Sequence, residues 1–564
     1  MMHKLFRIGL AALLATVVYT AGAQQQQEEC PLIPKPVEAV AVEGSFTIDN
    51  NSVVLYDEEF AAQARLLQNE LLEQCGISPI LAPEGSAKGL SGRRIELRKA
   101  SKKALAAEGA YTLHIGPEAI LLNASNRQGM IHATMSLLQL ARLAYHNTKG
   151  YVSRDTWNVY YYNDALNATP QEQSVTIKGW NITDSPRFGW RGLMLDEARH
   201  FFGKQKVKQL INYMALYKLN RLHWHLSDEQ GWRVEIKAYP KLALIGGIGH
   251  NTDPFAPAQY YTQDEVREIV AYAAERGIEI LPEIDMPGHA TAITRAYPEL
   301  SGGSKGSRKP NYTLNPGKEE LYTFLNRVLK EVDALFPYQT IHIGGDELKD
   351  GNSVWNDNAD IQNLMKRENL ASFLDVEHYF AERVADSLFK MNNRIAAWDE
   401  LAGLDLPSDK TLIYAWRPDK VQMLRKAVEK NYNIVFSPRL PMYLDYAQDS
   451  LQVHGVGWKK FGVNSYRKIY AWEYTSLDVD FSKGGNILGI QANMWTERVD
   501  TPNRLDYLVY PRMIALAENA WTQKELKDID SFDQRLKEQF ILLRVDDIYF
   551  NNPFDPTEHG EPPF

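Results

Sequence analysis

From about residue 186 the chain alternates short apolar runs with longer amphipathic ones. GLMLDEARHF, RLHWHLSD, IEILPEIDMPGH, TIHIGGDE, RIAAWDE, TLIYAWR, NIVFSP and ILGIQANMW are eight runs of strand length. Between them lie VKQLINYMALYK, DEVREIVAYAAERG, EELYTFLNRVLKEVDALF, VEHYFAERVADSLFKM and KVQMLRKAVEKN, with apolar residues at helical spacing, and LDYLVYPRMIALAENAW follows the last strand. A repeated strand–helix pattern over about 330 residues predicts a (β/α)8 TIM barrel. The rival, an open doubly wound sheet, would want a Gly-rich turn after its first strand, and DEARHFFGK is not one.

The preceding stretch mixes alternating strands (SFTID, SVVLY, YTLHI, AILLNA) with helical patterns at EFAAQARLLQNELLEQ and RQGMIHATMSLLQLARL. It reads as a smaller α+β domain over 24–185, without a dense polar cluster. The barrel is expected over 186–525. Residues 526–564 hold one more helical pattern, FDQRLKEQFILLRV, and a Pro-rich tail, expected to pack on the barrel.

Polar residues crowd the ends of the barrel strands. Asp196, Arg199 and His200 follow the first; His223, His225 and Asp228 the second; Glu283, Asp285 and His289 the third. The series continues with His342, Asp346 and Glu347, then Trp398, Asp399 and Glu400, then Trp416 and Arg417, Tyr443 and Asp445, and Trp495 and Glu497. The C-terminal rim is where barrels of this kind build their sites. Any one such residue is ordinarily a surface charge or a satisfied core group; every strand ending this way points to a site.

Composition adds three constraints. A net charge of -9 without acidic or basic blocks gives no footprint for nucleic acid or an anionic membrane. The 12 Trp and 29 Tyr matter because Trp recurs beside the rim polars, and an aromatic face suits the apolar face of a sugar ring. The leader MMHKLFRIGLAALLATVVYTAGA has basic Lys4 and Arg7, an apolar run at 8–18 too short for a membrane span, and small residues Ala21-Gly22-Ala23. An export signal at 1–23, bacterial in style, is expected, and with it a location in the periplasm, at the cell surface or in the medium. Export permits a disulfide between Cys30 and Cys75.

Acids and tryptophans at a barrel mouth suit glycoside hydrolysis: one protonated acid for the leaving oxygen, carboxylates and Arg for hydroxyls, aromatics around the ring. The usual enzyme flanks the scissile bond with two carboxylates roughly 5–9 Å apart. Asp346 and Glu347 are chain neighbours, so one acid and a nucleophile from elsewhere are expected. The glycines before them, Gly344 and Gly345, are expected to let the backbone approach the sugar without a Cβ in the way.

WRGLMLDEARHFF (190–202), LHWHLSDEQGWR (222–233), PEIDMPGHA (282–290), HIGGDE (342–347), AWDE (397–400), YAWR (414–417), YLDY (443–446) and QANMWTE (491–497) resemble, in order, the family 20 glycoside hydrolases, the β-N-acetylhexosaminidases. LIPKP, EGAYTLHI and the TMSLLQL helix resemble that family's accessory α+β domain. The resemblance implies an exo-acting, retaining enzyme that releases terminal β-linked GlcNAc, and GalNAc, from glycans. Its nucleophile would be the substrate's own 2-acetamido oxygen, and the intermediate oxazolinium-like. It implies Glu347 as general acid, Asp346 orienting the acetamido group and Tyr443 donating to its oxygen. Trp398, Trp416 and Trp495 would wall the acetyl pocket, Arg199, Asp445 and Glu497 would bind outer hydroxyls, and Asp228 and His289 would support the acid. Arg191, placed before the strand body, is expected to be structural. No cofactor or metal is implied, and the expected partner is a glycan.

Rival readings remain. His223-Trp224-His225 has a ligand-like spacing on one strand face, but the other ligands of a metal-dependent barrel hydrolase are missing. A non-catalytic sugar binder could keep the fold. Disaccharide release or a preference for sulfated sugars would be decided by loops at 246–259, 302–311 and 349–363.

Overall fold

The computed structural model describes residues 28–86, 89–149, 173–303, 311–348, 355–417, 419–455 and 462–564. The leader and parts of the 302–311 and 349–363 loops fall outside them. The first layer is a seven-stranded sheet made of β1 (Glu38–Asp49), β2 (Val53–Tyr56), β3 (Ile80–Pro83), β4 (Arg94–Lys99), β5 (Tyr111–Ile115), β6 (Ala119–Ala124) and β7 (Ser174–Asp184). Its order is β1-β7-β5-β6-β4-β2-β3. In β7 buried and exposed residues largely alternate, so one face of the sheet is covered. Helices α1 (Ala61–Cys75) and α2 (Arg127–Lys149) pack on the sheet and on each other. Cys30 and Cys75 are buried free thiols, with no disulfide between them, and burial pushes each up to about 12.

The second unit is a closed parallel barrel of β8 (Trp190–Asp196), β9 (Arg221–His225), β10 (Glu279–Glu283), β11 (Thr340–His342), β12 (Arg394–Trp398), β13 (Thr411–Ala415), β14 (Asn433–Phe436) and β15 (Asn486–Met494). Each strand pairs with the next in sequence, and β15 closes on β8. The eight apolar runs therefore became the eight strands. Helices Lys204–Leu216, Gln263–Glu275, Glu319–Leu335, Phe373–Lys390 and Val421–Glu429 lie where helical spacing predicts them. Two start on capping boxes, Thr262 with Glu265 and Ser372 with Asp375, in which each side chain satisfies the other's free N–H. The last pattern, LDYLVYPRMIALAENAW, is not one helix. It splits into Pro502–Val509 and Arg512–Trp521, because Pro511 has no N–H to continue the first and restricts the residue before it. Among the described residues no helix is long and apolar enough to cross a membrane.

The sheet and the barrel meet at the N-terminal end of the strands, around one buried ion pair. Asp184, at the end of β7, accepts hydrogen bonds from Lys218 Nζ (3.1 Å), Tyr111 OH (2.7 Å) and Trp521 Nε1 (2.9 Å). Both charged side chains are sealed, at 1% and 0% exposure. Arg191 lies at this same end, away from the mouth, donating to the Lys218 and Phe188 carbonyls and stacking 4.9 Å above Trp521. Breaking a buried pair strands the remaining charge, so Asp184→Asn should cost about 3–5 kcal/mol. A urea-unfolding midpoint unchanged from wild type would contradict this.

Candidate active site

Parallel strands bring all their C-terminal ends to one mouth, and the predicted rim residues meet there. Asp228, just past β9, is 1% exposed, and it is held by three cationic partners. Arg199 Nη2 lies 2.7 Å from its Oδ2, His225 Nε2 2.8 Å from the same oxygen, and His289 Nδ1 3.1 Å from Oδ1. Burial opposes its charge, but Arg199 and His289 outweigh burial and hold the carboxyl well below the usual range. His289 in turn keeps its proton: burial works against it, yet Asp228 and Asp346 raise it to about 9.

The far nitrogen of His289 serves both adjacent acids. Nε2 lies 3.9 Å from Asp346 Oδ2 and 3.8 Å from Glu347 Oε2. Asp346 is the more enclosed, with 13% of its side chain exposed against 54% for Glu347. Burial pushes Asp346 up to about 7 despite the pull of His289, and Glu400, Glu283 and Glu347 add to the rise. Asp346 Oδ1 and His289 Nε2 are buried without a hydrogen-bond partner among the described residues. Buried polar atoms left open at a mouth are where a ligand's own donors and acceptors fit.

The turn that delivers these acids corrects one expectation. Gly344 and Gly345 have φ of +68° and +85°, and Glu347 itself sits at +54°. A Cβ on Gly344 would come 1.8 Å from Asp285 Oδ1, and one on Gly345 2.7 Å from Leu401 Cδ1. The space the glycines leave is filled by the protein, not kept open for a sugar. Asp285, whose carboxyl is pushed well above its usual range by burial and by Asp346, sits directly behind the turn.

Around the acids stands a box of rings. Trp416 stacks parallel to Tyr443 with centroids 6.2 Å apart; Trp495 lies 6.0 Å from Tyr443 and 6.0 Å from Trp398. Two of the indoles are anchored from behind: Trp416 Nε1 donates to Glu400, which also pairs with Arg417 at 3.0 Å, and Trp398 Nε1 donates to Glu283. Arg199 lies 5.0 Å over Trp495, is clamped by Asp196 at 3.1 Å, and reaches Glu497 at 3.8 Å. Asp445 is buried, and burial together with Glu497 pushes it up to about 8. All eleven site residues singled out above lie in this one constellation, linked through Asp228, Asp346, the ring box and Arg199.

Sequence reasoning named Glu283 and the strand histidines but missed how they combine. Glu283 is fully buried, with His223 Nε2 at 2.9 Å, His225 Nδ1 at 2.7 Å and His342 Nδ1 at 3.1 Å. The only signal was the two-residue spacing of His223 and His225, which puts both on one strand face. His223, Glu283 and His342, or His225, Asp228 and Asp285, bring ligand-type atoms within 4.8 Å of one another. The carboxylates central to these sets, Glu283 and Asp228, already have imidazole or guanidinium at direct contact distance. Tyr312, whose ring is 5.1 Å from His289, was not foreseen at all.

Comparison with known proteins agrees with this geometry. Residues 188–524 match the family model for the glycosyl hydrolase family 20 catalytic domain, and residues 29–185 match domain 2 of that family. A β-hexosaminidase of Vibrio furnissii is 33% identical over 533 residues, covering 90% of this chain and 80% of its own. The crystal structure of a GH20 exo β-N-acetylglucosaminidase from Vibrio harveyi superposes with a TM-score of 0.79 at 32% identity, over 93% of this chain and 79% of the other. A β-N-acetylhexosaminidase from Bacteroides fragilis gives 0.76 at 26%, over 92% and 96%.

The glycine turn is open to direct test. Gly344→Ala asks an alanine to hold a left-handed φ while its Cβ meets Asp285, and should destabilise the protein by at least about 1–3 kcal/mol. Urea unfolding would read the loss; an alanine tolerated without change would contradict the close approach of Asp285.

Proposed function

The chain belongs to glycosyl hydrolase family 20 and is a glycoside hydrolase of the β-N-acetylhexosaminidase type, and from that premise we propose how it works. It releases terminal, non-reducing β-linked GlcNAc, and GalNAc, from glycans with retention, by substrate-assisted catalysis. One observation carries this reading. Asp346 and Glu347 approach the same imidazole nitrogen, at 3.9 and 3.8 Å, so they serve one side of a bound sugar. Two carboxylates flanking the ring from opposite faces, as a conventional retaining pair requires, are not what this arrangement offers.

In the proposed reaction Glu347 gives its proton to the glycosidic oxygen as the bond from that oxygen to the anomeric carbon breaks. The 2-acetamido oxygen attacks the same carbon and forms an oxazolinium ring. Asp346, as carboxylate, accepts a hydrogen bond from the acetamido N–H and balances the positive charge; the Tyr443 hydroxyl, keeping its proton, donates a hydrogen bond to the acetamido oxygen and orients it for ring closure. Water then attacks the anomeric carbon, giving its proton to Glu347, and the acetamide is restored. Trp398, Trp416 and Trp495 enclose the acetyl methyl, where apolar burial favours the acetylated sugar. Arg199, Asp445 and Glu497 take the outer hydroxyls, with Asp228 and His289 supporting the acid. The leader at 1–23 supports export, so the glycans would be met outside the cytoplasm.

Glu347→Gln should lower kcat by about 10²–10⁴-fold on substrates with poor leaving groups, and less on activated aryl glycosides. Asp346→Asn should lose rate on N-acetylated substrates. An analogue without the N-acetyl group, cleaved as fast as the acetylated one by the wild-type enzyme, would sink the mechanism. The pH dependence has a definite sign. The proposal needs Asp346 ionised, and its carboxyl is raised to about 7, so kcat/KM should climb as pH rises through about 7 rather than in the ordinary carboxylate range. A flat profile between pH 5 and 8 would contradict the assignment.

A further inference from the structure

The charged groups at the mouth do not stop at Asp228. His225 places its Nε2 on Asp228 and its Nδ1 2.7 Å from Glu283 Oε2, while the other oxygen of Glu283 accepts the Trp398 indole N–H at 3.0 Å. Carboxyl and imidazole thus alternate in a line, Glu283–His225–Asp228–His289, that runs from inside the barrel to within 4 Å of both catalytic acids proposed above. We propose that Glu283 and His225 are positioning residues of the acid–base step: they hold Asp228 and His289 in one orientation and one charge state, and through Trp398 tie that state to the wall of the sugar pocket. This rests on the roles given to Asp346 and Glu347.

The alternative is a polar core cluster with no bearing on chemistry. Two features argue against it. A fully buried carboxylate and imidazole are costly wherever an apolar pair would pack, and this one is continuous with the site at both ends, through Asp228 and through Trp398. The neighbours also set its charge. Glu283 is faced by His223 and His225 from β9, by His342 from β11 and by Tyr414 from β13, with Asp285 two residues further on. His225 is faced by Asp196 from β8, besides Asp228 and its Arg199 partner. Burial works against a charge on His225, but Glu283 and Asp228 raise it to about 10, whereas burial leaves His223 at about 4. The line therefore carries charge in a fixed order, and no proton has to travel along it.

Two experiments test this, and the first needs no variant. His225 and His289 should both remain doubly protonated at pH 8, seen as imidazolium nitrogen shifts assigned in histidine-labelled wild-type protein. One such signal, or none, overturns the proposal. The second compares Glu283→Gln with His225→Gln. Removing a buried negative charge should move the acid limb of kcat/KM down by about one unit, and removing a buried positive charge should move it up by about as much. Glu283→Asp, which keeps the charge, should restore the wild-type limb with reduced kcat. Limbs that stay in place, or shift the same way in both variants, mean a purely structural cluster. If neither variant folds, Glu283→Asp decides: a reduced kcat on the wild-type limb supports the positioning role, and an unchanged kcat means a purely structural cluster. A wild-type chain that cleaves no N-acetylhexosaminide would defeat the functional reading and leave the histidine result standing.

Discussion

A carboxylate sealed from water keeps its charge only if cations and donors replace the solvent around it, and the mouth of this barrel is arranged to do that for Asp228. Arg199, His225 and His289 come from three different strand ends to reach its two oxygens. Each partner also has a second contact beyond Asp228. Arg199 reaches Glu497 and lies over Trp495, His225 leans on Glu283, and His289 faces Asp346 and Glu347. Satisfying one buried charge thus fixes the positions of groups that would otherwise be loose side chains on loops. That is the kind of preorganisation by which a site's second layer aims its first.

The turn carrying the two acids depends on the same core. Its glycines take left-handed backbone because Asp285 and Leu401 occupy the volume their side chains would need. Asp285 lies between Asp228 and Asp346 electrostatically, and burial with these acidic neighbours pushes its carboxyl well above the usual range, which disfavours a third negative charge beside them. The strained turn and the buried charges are therefore one construction: the carboxyl that fills the space behind the turn is also one whose charge burial and its acidic neighbours oppose.

Legibility of the sequence followed the range of the interactions. The eight barrel strands could be read because short apolar runs contrast with longer amphipathic helices over a few residues. Pro511, visible in the chain, still escaped notice as a helix break, since apolar spacing continues across it. The order of the first sheet was not readable, because β1 pairs with β7 across more than a hundred residues and nothing local encodes a partner at that distance. At the site, the rim residues were legible from their positions after strands and from family motifs. The gathering of Glu283 with three histidines was not, because it joins three strands whose relative heights in the barrel only closure sets. The expectation that the glycines face the sugar failed for the same reason: Asp285 comes from a neighbouring strand end.

The balance of charge at the mouth fits the reaction proposed for it. Asp346, Glu347, Glu400, Asp445 and Glu497 gather around the pocket, against Arg199, Arg417 and His289. Such a set of like charges is mutually repulsive, and burial together with neighbouring acids raises the carboxyls of Asp346 and Asp445. A neutral sugar relieves little of that repulsion. A sugar that becomes cationic as its bond breaks relieves more, because its charge appears beside acids that burial has made eager for a counter-charge. Binding the charged state better than the neutral one is what lowers a barrier. On this argument the repulsion among the acids is what favours the proposed cationic transition state over the neutral sugar, and the Glu283–His225 line proposed above holds Asp228 and His289 in place beside them.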